Sequence, residues 1–266
     1  MIITQDTILQ EGVHFVPEGI SIEADGVTLD GNGALLVGLE RAGRGVSVVN
    51  RQGVKIKNLR LQEFHHGIFC SGCRELTITA CQVASTAEVA ANTIFLDIWL
   101  PVEQAYGGGI LLANSQDSLV TNNDLQHQMA GLLAYGCSRL TIRENNACYC
   151  SGWGFHLYES RESLYEDNCA DYCCRWEPRG GRKGHMDNSL IHNNKAIRIA
   201  ANQDHGIRPY RVPAGQEPAQ WLRPHDHIIR NNTIQENRLG VEAIWTDQTL
   251  IEGNTFTANS QSESIL

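Results

Sequence analysis

Histidine, tyrosine, arginine and carboxylate side chains gather in the second half of the chain at spacings that suit proton transfer beside an anion. In Trp153-Gly154-Phe155-His156-Leu157-Tyr158-Glu159, His156 and Tyr158 are two residues apart, so an extended backbone puts both on one face. A neutral imidazole can accept a proton and a phenol can return one. The run Asp204-His205-Gly206-Ile207-Arg208-Pro209-Tyr210 supplies a guanidinium with Asp204, His205 and Tyr210 close in sequence, and a guanidinium fork matches a carboxylate. Glu242 follows in Gly240-Val241-Glu242-Ala243; with Asp204 or Glu159 it could form a carboxyl pair for acid and base work. Residues 175–185 hold Arg175, Glu177, Arg179, Arg182, Lys183 and His185, four formal cations against one anion, a local +3 in a chain of net charge −9. That segment reads either as a solvated loop or as an anion-binding lip in which Arg175, Glu177, Arg179, Arg182 and His185 touch the ligand.

The bulk composition narrows the partners. With 21 Lys+Arg against 30 Asp+Glu the charge is 21 − 30 = −9, which argues against nucleic acid as a partner. No apolar run approaches the roughly 18 to 20 residues of a spanning helix, so no membrane partner is expected. The opening MIITQDTILQEGVHF lacks the basic and apolar regions of a signal peptide. The chain as written therefore reads as cytoplasmic, and as exported if a leader has been trimmed from it. The nine cysteines are odd in number and belong to a chain long enough to need no disulfide staples, so reduced thiols are expected. Cys70-x-x-Cys73 and Cys148-x-Cys150 have spacings a soft metal could use, but their places in the repeat below suit small buried apolar residues. No cofactor is firmly implied; a divalent cation remains admissible.

These residues are positioned by a repeat. Six segments share a branched or aromatic residue, two further residues, then Asn: Val120 to Asn123, Ile142 to Asn145, Tyr165 to Asn168, Ile191 to Asn194, Ile229 to Asn232 and Ile251 to Asn254. Weaker copies end at Asn32, Leu59 and Cys81, giving steps of 27, 22, 42, 22, 23, 26, 38 and 22. The base period is 22, with insertions near 84–107 and 197–227. A glycine followed by apolar, any, apolar keeps phase with it, as in Gly45-Val46-Ser47-Val48, Gly67-Ile68-Phe69-Cys70, Gly109-Ile110-Leu111-Leu112, Gly131-Leu132-Leu133-Ala134 and Gly154-Phe155-His156-Leu157. Alternation of period two in short Val/Ile/Thr-rich segments belongs to strands. A fixed period of this length makes a solenoid. The reading is all-β: one domain over residues 1–266, a right-handed parallel β-helix of about nine coils, each about 4.8 Å above the last. Residues one period apart then stack, the asparagines as an inward ladder at a corner, and Cys70 over Leu112, Ala134 and Leu157.

These G-φ-x-φ strands and I-x-x-N turns, over about 27–256, resemble the parallel β-helix proteins of the pectate-lyase-like superfamily, and more narrowly its NosD-like, PbH1-repeat branch. The resemblance implies a carbohydrate site on the outer face of the G-φ-x-φ strand. Alternation puts Ser47, Phe69, Leu111, Leu133, His156 and Glu242 outward at the third motif position and Val49, Ser71, Ala113, Tyr135, Tyr158 and Ile244 at the fifth. Reading Gly206-Ile207-Arg208 as a further copy sets Arg208 on that face about 10 Å from His156. His65 and His66 read as loop residues. The calcium-holding aspartate cluster of pectate lyases and the paired-aspartate signatures of polygalacturonase-like hydrolases have no counterpart. The expectation is a carbohydrate-active protein on an anionic polysaccharide or oligosaccharide, as a lyase or epimerase. Its expected catalytic residues are His156, Arg208, Glu242, Tyr158 and Asp204. The expected binding residues are Tyr135, Glu159, Arg175, Glu177, Arg179, Arg182, His185, His205 and Tyr210. The alternatives are a glycoside hydrolase using two carboxyls and a non-catalytic binding or scaffold module, perhaps metal-associated. An uncapped solenoid end also admits an end-to-end oligomer.

Overall fold

The computed structural model describes residues 1–89, 101–158, 160–169, 195–200, 228–235, 239–243, 250–259 and 261–265. Each coil contributes one strand to each of two long parallel sheets. The first sheet has ten strands: Ile2–Ile3, Ile20–Ile22, Arg44–Val49, His66–Ser71, Gly108–Ala113, Ala130–Tyr135, Trp153–Tyr158, Lys195–Ala200, Leu239–Ala243 and Gln261–Ile265. The second has nine, running from Thr7–Ile8 to Leu250–Glu252. A third face is made by short strands in a set of four, Val13–Phe15 to Gln82–Ala84, and a pair, Thr233–Gln235 with Thr255–Thr257. This is the expected parallel β-helix.

Its interior is built by alternation. Ile56, Ile78, Val120, Ile142, Tyr165 and Ile229 stack in register in the second sheet and all are buried. In the first sheet Cys70, Leu112, Ala134 and Leu157 form the expected column. The repeat's glycine sits where the chain turns into the first sheet and has no room for a side chain. A Cβ on Gly131 would lie 2.5 Å from the Gly154 carbonyl oxygen and 2.7 Å from the Ala147 Cβ.

The corner after the second sheet needs a left-handed residue, found at Asn122, Glu144, Asp167 and Asn231 with φ of 55, 55, 54 and 55°. The asparagine that follows each is the ladder. Oδ1 of Asn145 accepts from the backbone N and Nδ2 of Asn123 at 3.1 and 2.9 Å. Asn168 does the same for Asn145 at 3.0 and 3.1 Å. Asn232 then serves Asn168 at 2.8 and 3.2 Å, and Asn254 serves Asn232 at 2.9 and 2.9 Å. The ladder corrects one expected member: Asn232 takes the slot that spacing assigns to Asn194, and Asn194 lies outside the described residues. In the second sheet Leu164–Glu166 likewise pairs directly with Ile228–Arg230. Between them the chain contributes Lys195–Ala200 to the first sheet, so the step from 168 to 194 is not a coil, although its length is close to one.

Candidate functional site

The expected outer rows exist. Ser47, Phe69, Leu111, Leu133, His156, Arg198 and Glu242 are successive register partners, and Val49, Ser71, Ala113, Tyr135, Tyr158 and Ala200 form the next row. The strand between those of His156 and Glu242 is Lys195–Ala200, so Arg198 holds the register position that the sequence reading assigns to Arg208. Arg208 itself lies outside the described residues. His156, Arg198 and Glu242 thus follow one another at intervals of about 4.8 Å along the sheet.

The face is not an open cleft. Phe69, Leu111, Leu133, Tyr135, Trp153 and Tyr158 form a second apolar cluster with Ala105, Met129 and Ala130, against which Val89, Val102 and Tyr106 pack. The segment that leaves the regular coil after Gln82–Ala84 therefore folds back over the outside of the first sheet. Apolar outward residues such as Leu111 and Leu133, both 0% exposed, require such a cover.

Where this cluster reaches the coils of Ala130–Tyr135 and Trp153–Tyr158 it becomes aromatic and polar. The His156 ring lies 4.2 Å, centroid to centroid, from Trp153 and 6.4 Å from Tyr135. Tyr135 and Tyr158 are 5.7 Å apart, and Tyr106 covers Trp153 at 6.1 Å. His156, Tyr158 and Tyr135 are 1, 2 and 5% exposed, so the three expected site residues whose side chains are described do converge, but behind a cover. A base, two phenols and an indole in one dry cluster can move a proton and stack on a ring face.

The opposite end of the face holds a second polar group. His66 opens the strand His66–Ser71 and is buried, not a loop residue; its Nε2 lies 3.0 Å from the Tyr106 carbonyl oxygen, and that of His65 lies 2.9 Å from Ala105 O. Burial first, then the neighbouring His65 and Arg44, push the His66 imidazole down to about 3, against a smaller upward pull from the Tyr106 bond. Arg44, its register partner, sets its guanidinium 3.3 Å from the Phe69 ring centroid. Glu88 accepts from the Ser151 hydroxyl. The residue as a whole is exposed, yet its carboxyl is held above the ordinary carboxylate range by desolvation, opposed by the Ser151 bond and by Arg41.

Sequence reasoning missed Arg198, Trp153 and Glu88. Arg198 was signalled by Ala196-Ile197-Arg198-Ile199, the strand motif with alanine in place of glycine. For Glu242 the structure describes the strand position and register only. Asp204, Glu159, Arg175, Glu177, Arg179, Arg182, His185, His205 and Tyr210 lie outside the described residues.

The fold and its outer rows define the chain as a parallel β-helix of the pectate-lyase-like kind. Residues 18–265 match the family described as Periplasmic copper-binding protein (NosD), and the chain belongs to that family. No curated protein matches it. Among solved structures it is similar to the GH136 lacto-N-biosidase from Eubacterium ramulus, with TM-score 0.58 and 12% identity over 97% of this chain and 49% of that one. It is also similar to the periplasmic alginate epimerase AlgG, with TM-score 0.51 and 12% identity over 96% and 51%. The tailspike protein of E. coli bacteriophage HK620, solved with a pentasaccharide, gives TM-score 0.59 and 9% identity over 100% and 49%. The chain thus spans about half the length of these proteins, and at such identity they establish the fold. The copper of the family description finds no fit among the described residues. They contain no group of three or more His, Cys, Asp or Glu side chains able to share an ion, and the Nε2 atoms of His65 and His66 already face backbone carbonyls.

Proposed function

We propose that this chain is the β-helix of a carbohydrate-active protein that binds an anionic glycan along the row of His156, Arg198 and Glu242 and acts on it as a uronate lyase or epimerase. The observation that supports this reading is the register: a base, a guanidinium and a carboxylate on successive coils, beside Trp153, Tyr135 and Tyr158. A uronate carboxylate needs a cation to make its C5 proton acidic, which is the part assigned to Arg198. His156 takes the proton. Expulsion of the O4 substituent from the resulting carbanion gives an unsaturated sugar; return of a proton from Tyr158 to the other face gives the C5 epimer. Both outcomes share the first step, so one residue set serves either. Arg208 is the competing cation, and Asp204 with Glu242 the pair a hydrolase would need.

A second reading, a non-catalytic NosD-like module, is favoured by one fact: His156, Tyr135 and Tyr158 are packed like core residues. Purified protein assayed on alginate, pectate and glycosaminoglycan panels, with unsaturated product and C5 inversion as readouts, separates the two. Turnover that falls about 100-fold or more in His156→Ala, by the usual worth of a general base, and falls also in Arg198→Ala but not in Arg208→Ala supports the first reading. Inert panels with no binding end the glycan reading altogether. Glycan binding without turnover, unchanged in His156→Ala and Arg198→Ala, supports the module.

A further inference from the structure

Cys148 and Cys169 lie on adjacent coils with their Sγ atoms 2.8 Å apart. The backbone ladder sets that approach: Cys169 N donates to Asn145 O at 2.9 Å, Ala147 N donates to Cys169 O at 2.9 Å, and Asn146 pairs with Cys169 across the coils. A disulfide bond is about 2.05 Å long, so the two sulfurs need to close by only about 0.8 Å. The other described cysteines compete poorly. Cys70, Cys73, Cys81, Cys137 and Cys150 are buried, whereas Cys169 is only half-buried. Burial raises the thiols of Cys70 and Cys73 and pushes those of Cys81 and Cys137 up to about 12, which withholds the thiolate that exchange requires.

We propose that Cys148 and Cys169 are a thiol–disulfide exchange site that takes a low-molecular-weight disulfide and closes into a cross-link between adjacent coils. With oxidised glutathione as the oxidant, the Cys169 thiolate attacks one glutathione sulfur, the glutathione S–S bond breaks, and the first glutathione leaves as a thiolate. The Cys148 thiolate then attacks the Cys169 sulfur of the mixed disulfide and expels the second glutathione. The two cysteines lose two electrons and two protons; one oxidised glutathione becomes two reduced ones. The cross-link ties the coil of Thr141–Arg143 to that of Leu164–Glu166 directly before residue 170. It is independent of the glycan reading.

The test uses the full chain equilibrated in buffers rich in oxidised or reduced glutathione, quenched in acid, alkylated after denaturation and weighed. The expected result is nine alkylated cysteines in the reduced sample and two fewer in the oxidised one, restored by dithiothreitol. The missing pair is expected in a linkage between tryptic peptides 144–161 and 162–175, assigned by fragmentation to Cys148 and Cys169. Cys148→Ser and Cys169→Ser should each abolish it, while Cys150→Ser, Cys173→Ser and Cys174→Ser keep it. Nine alkylated cysteines under oxidising conditions overturn the proposal. So does a linkage that persists in Cys148→Ser, or one that fragmentation of the unmutated chain assigns to Cys150, Cys173 or Cys174, a readout that needs no variant to fold.

Discussion

Replacing Asn145 with alanine removes a rung from the middle of the asparagine ladder, and the structure sets what that costs. The Asn145 side chain is buried and accepts two bonds from Asn123, through the backbone N at 3.1 Å and Nδ2 at 2.9 Å. It also donates to Val120 O and Arg143 O, both at 2.9 Å, and to Asn168 Oδ1 at 3.1 Å. The acceptors suffer less. Asn168 Oδ1 still receives the Asn145 backbone N at 3.0 Å, and Arg143 O still receives Asn122 N at 3.3 Å. Asn123 loses the only acceptor for its backbone N–H and one of the two for its Nδ2, since Nδ2 keeps Ile78 O at 3.1 Å. Two buried donors without partners cost about 1 to 3 kcal/mol each, so Asn145→Ala should lower stability by about 2 to 6 kcal/mol. Asn254→Ala, at the part-exposed end of the ladder where water can replace the amide, should cost about 1 kcal/mol. Urea unfolding followed by fluorescence, with an unchanged slope, gives both values. Equal losses at the two sites, or an Asn145→Ala chain within about 0.5 kcal/mol of the parent, a surface-like value, would refute the reasoning.

Other perturbations follow from the same contacts. Gly131→Ala drives a Cβ into the Gly154 carbonyl and Ala147, so its urea midpoint should fall by an amount equivalent to about 1 to 3 kcal/mol, the cost of overpacking. The Tyr165 hydroxyl is buried without a hydrogen-bond partner while its ring meets Phe155 edge-on at 5.8 Å. Tyr165→Phe keeps the ring contact and should be neutral or stabilising by about 1 kcal/mol in the same assay; clear destabilisation would contradict the assignment. His66 is held neutral, down from 6.5 to about 3. Above pH 6.5 neither state binds the proton and stability is full; between 6.5 and about 3 the unfolded chain binds it and the folded one does not, so stability drains away as pH falls. The full gap corresponds to about 5 kcal/mol. Urea midpoints at several pH values should show this acid loss in the parent and a shallower one in His66→Gln.

The repeat was legible because stacking forces it. A buried corner amide must recur once per coil, and a glycine must stand wherever the preceding sheet leaves no space for a Cβ, so Asn123, Asn145, Asn168 and Gly131 could be placed from spacing alone. The coil after Asn168 escaped for the same physical reason in reverse. Lys195–Ala200 is joined to the second-sheet strands on either side by long connections. Spacing therefore carries no information there, and Asn194 and Arg208 matched the local patterns by type without holding the slots. Alanine at 196 hid the true strand. The covered outer face was also written in the sequence, as Phe69, Leu111 and Leu133 at outward positions. Apolar residues there are a statement about what packs on them, whereas the residues doing the packing, such as Ala105 and Tyr106, belong to a non-repeating segment whose path no periodicity encodes.

Equilibrium binding is the most direct test of the site. A uronate oligosaccharide and its counterpart with carboxyl groups reduced to alcohols are titrated calorimetrically into the unmutated chain and into Arg198→Gln. If the row of His156, Arg198 and Glu242 recognises an anionic glycan, the acidic ligand binds more tightly than the neutral one, and Arg198→Gln removes most of that difference. Equal binding of the two ligands, no binding of either, or a preference untouched by Arg198→Gln would contradict it.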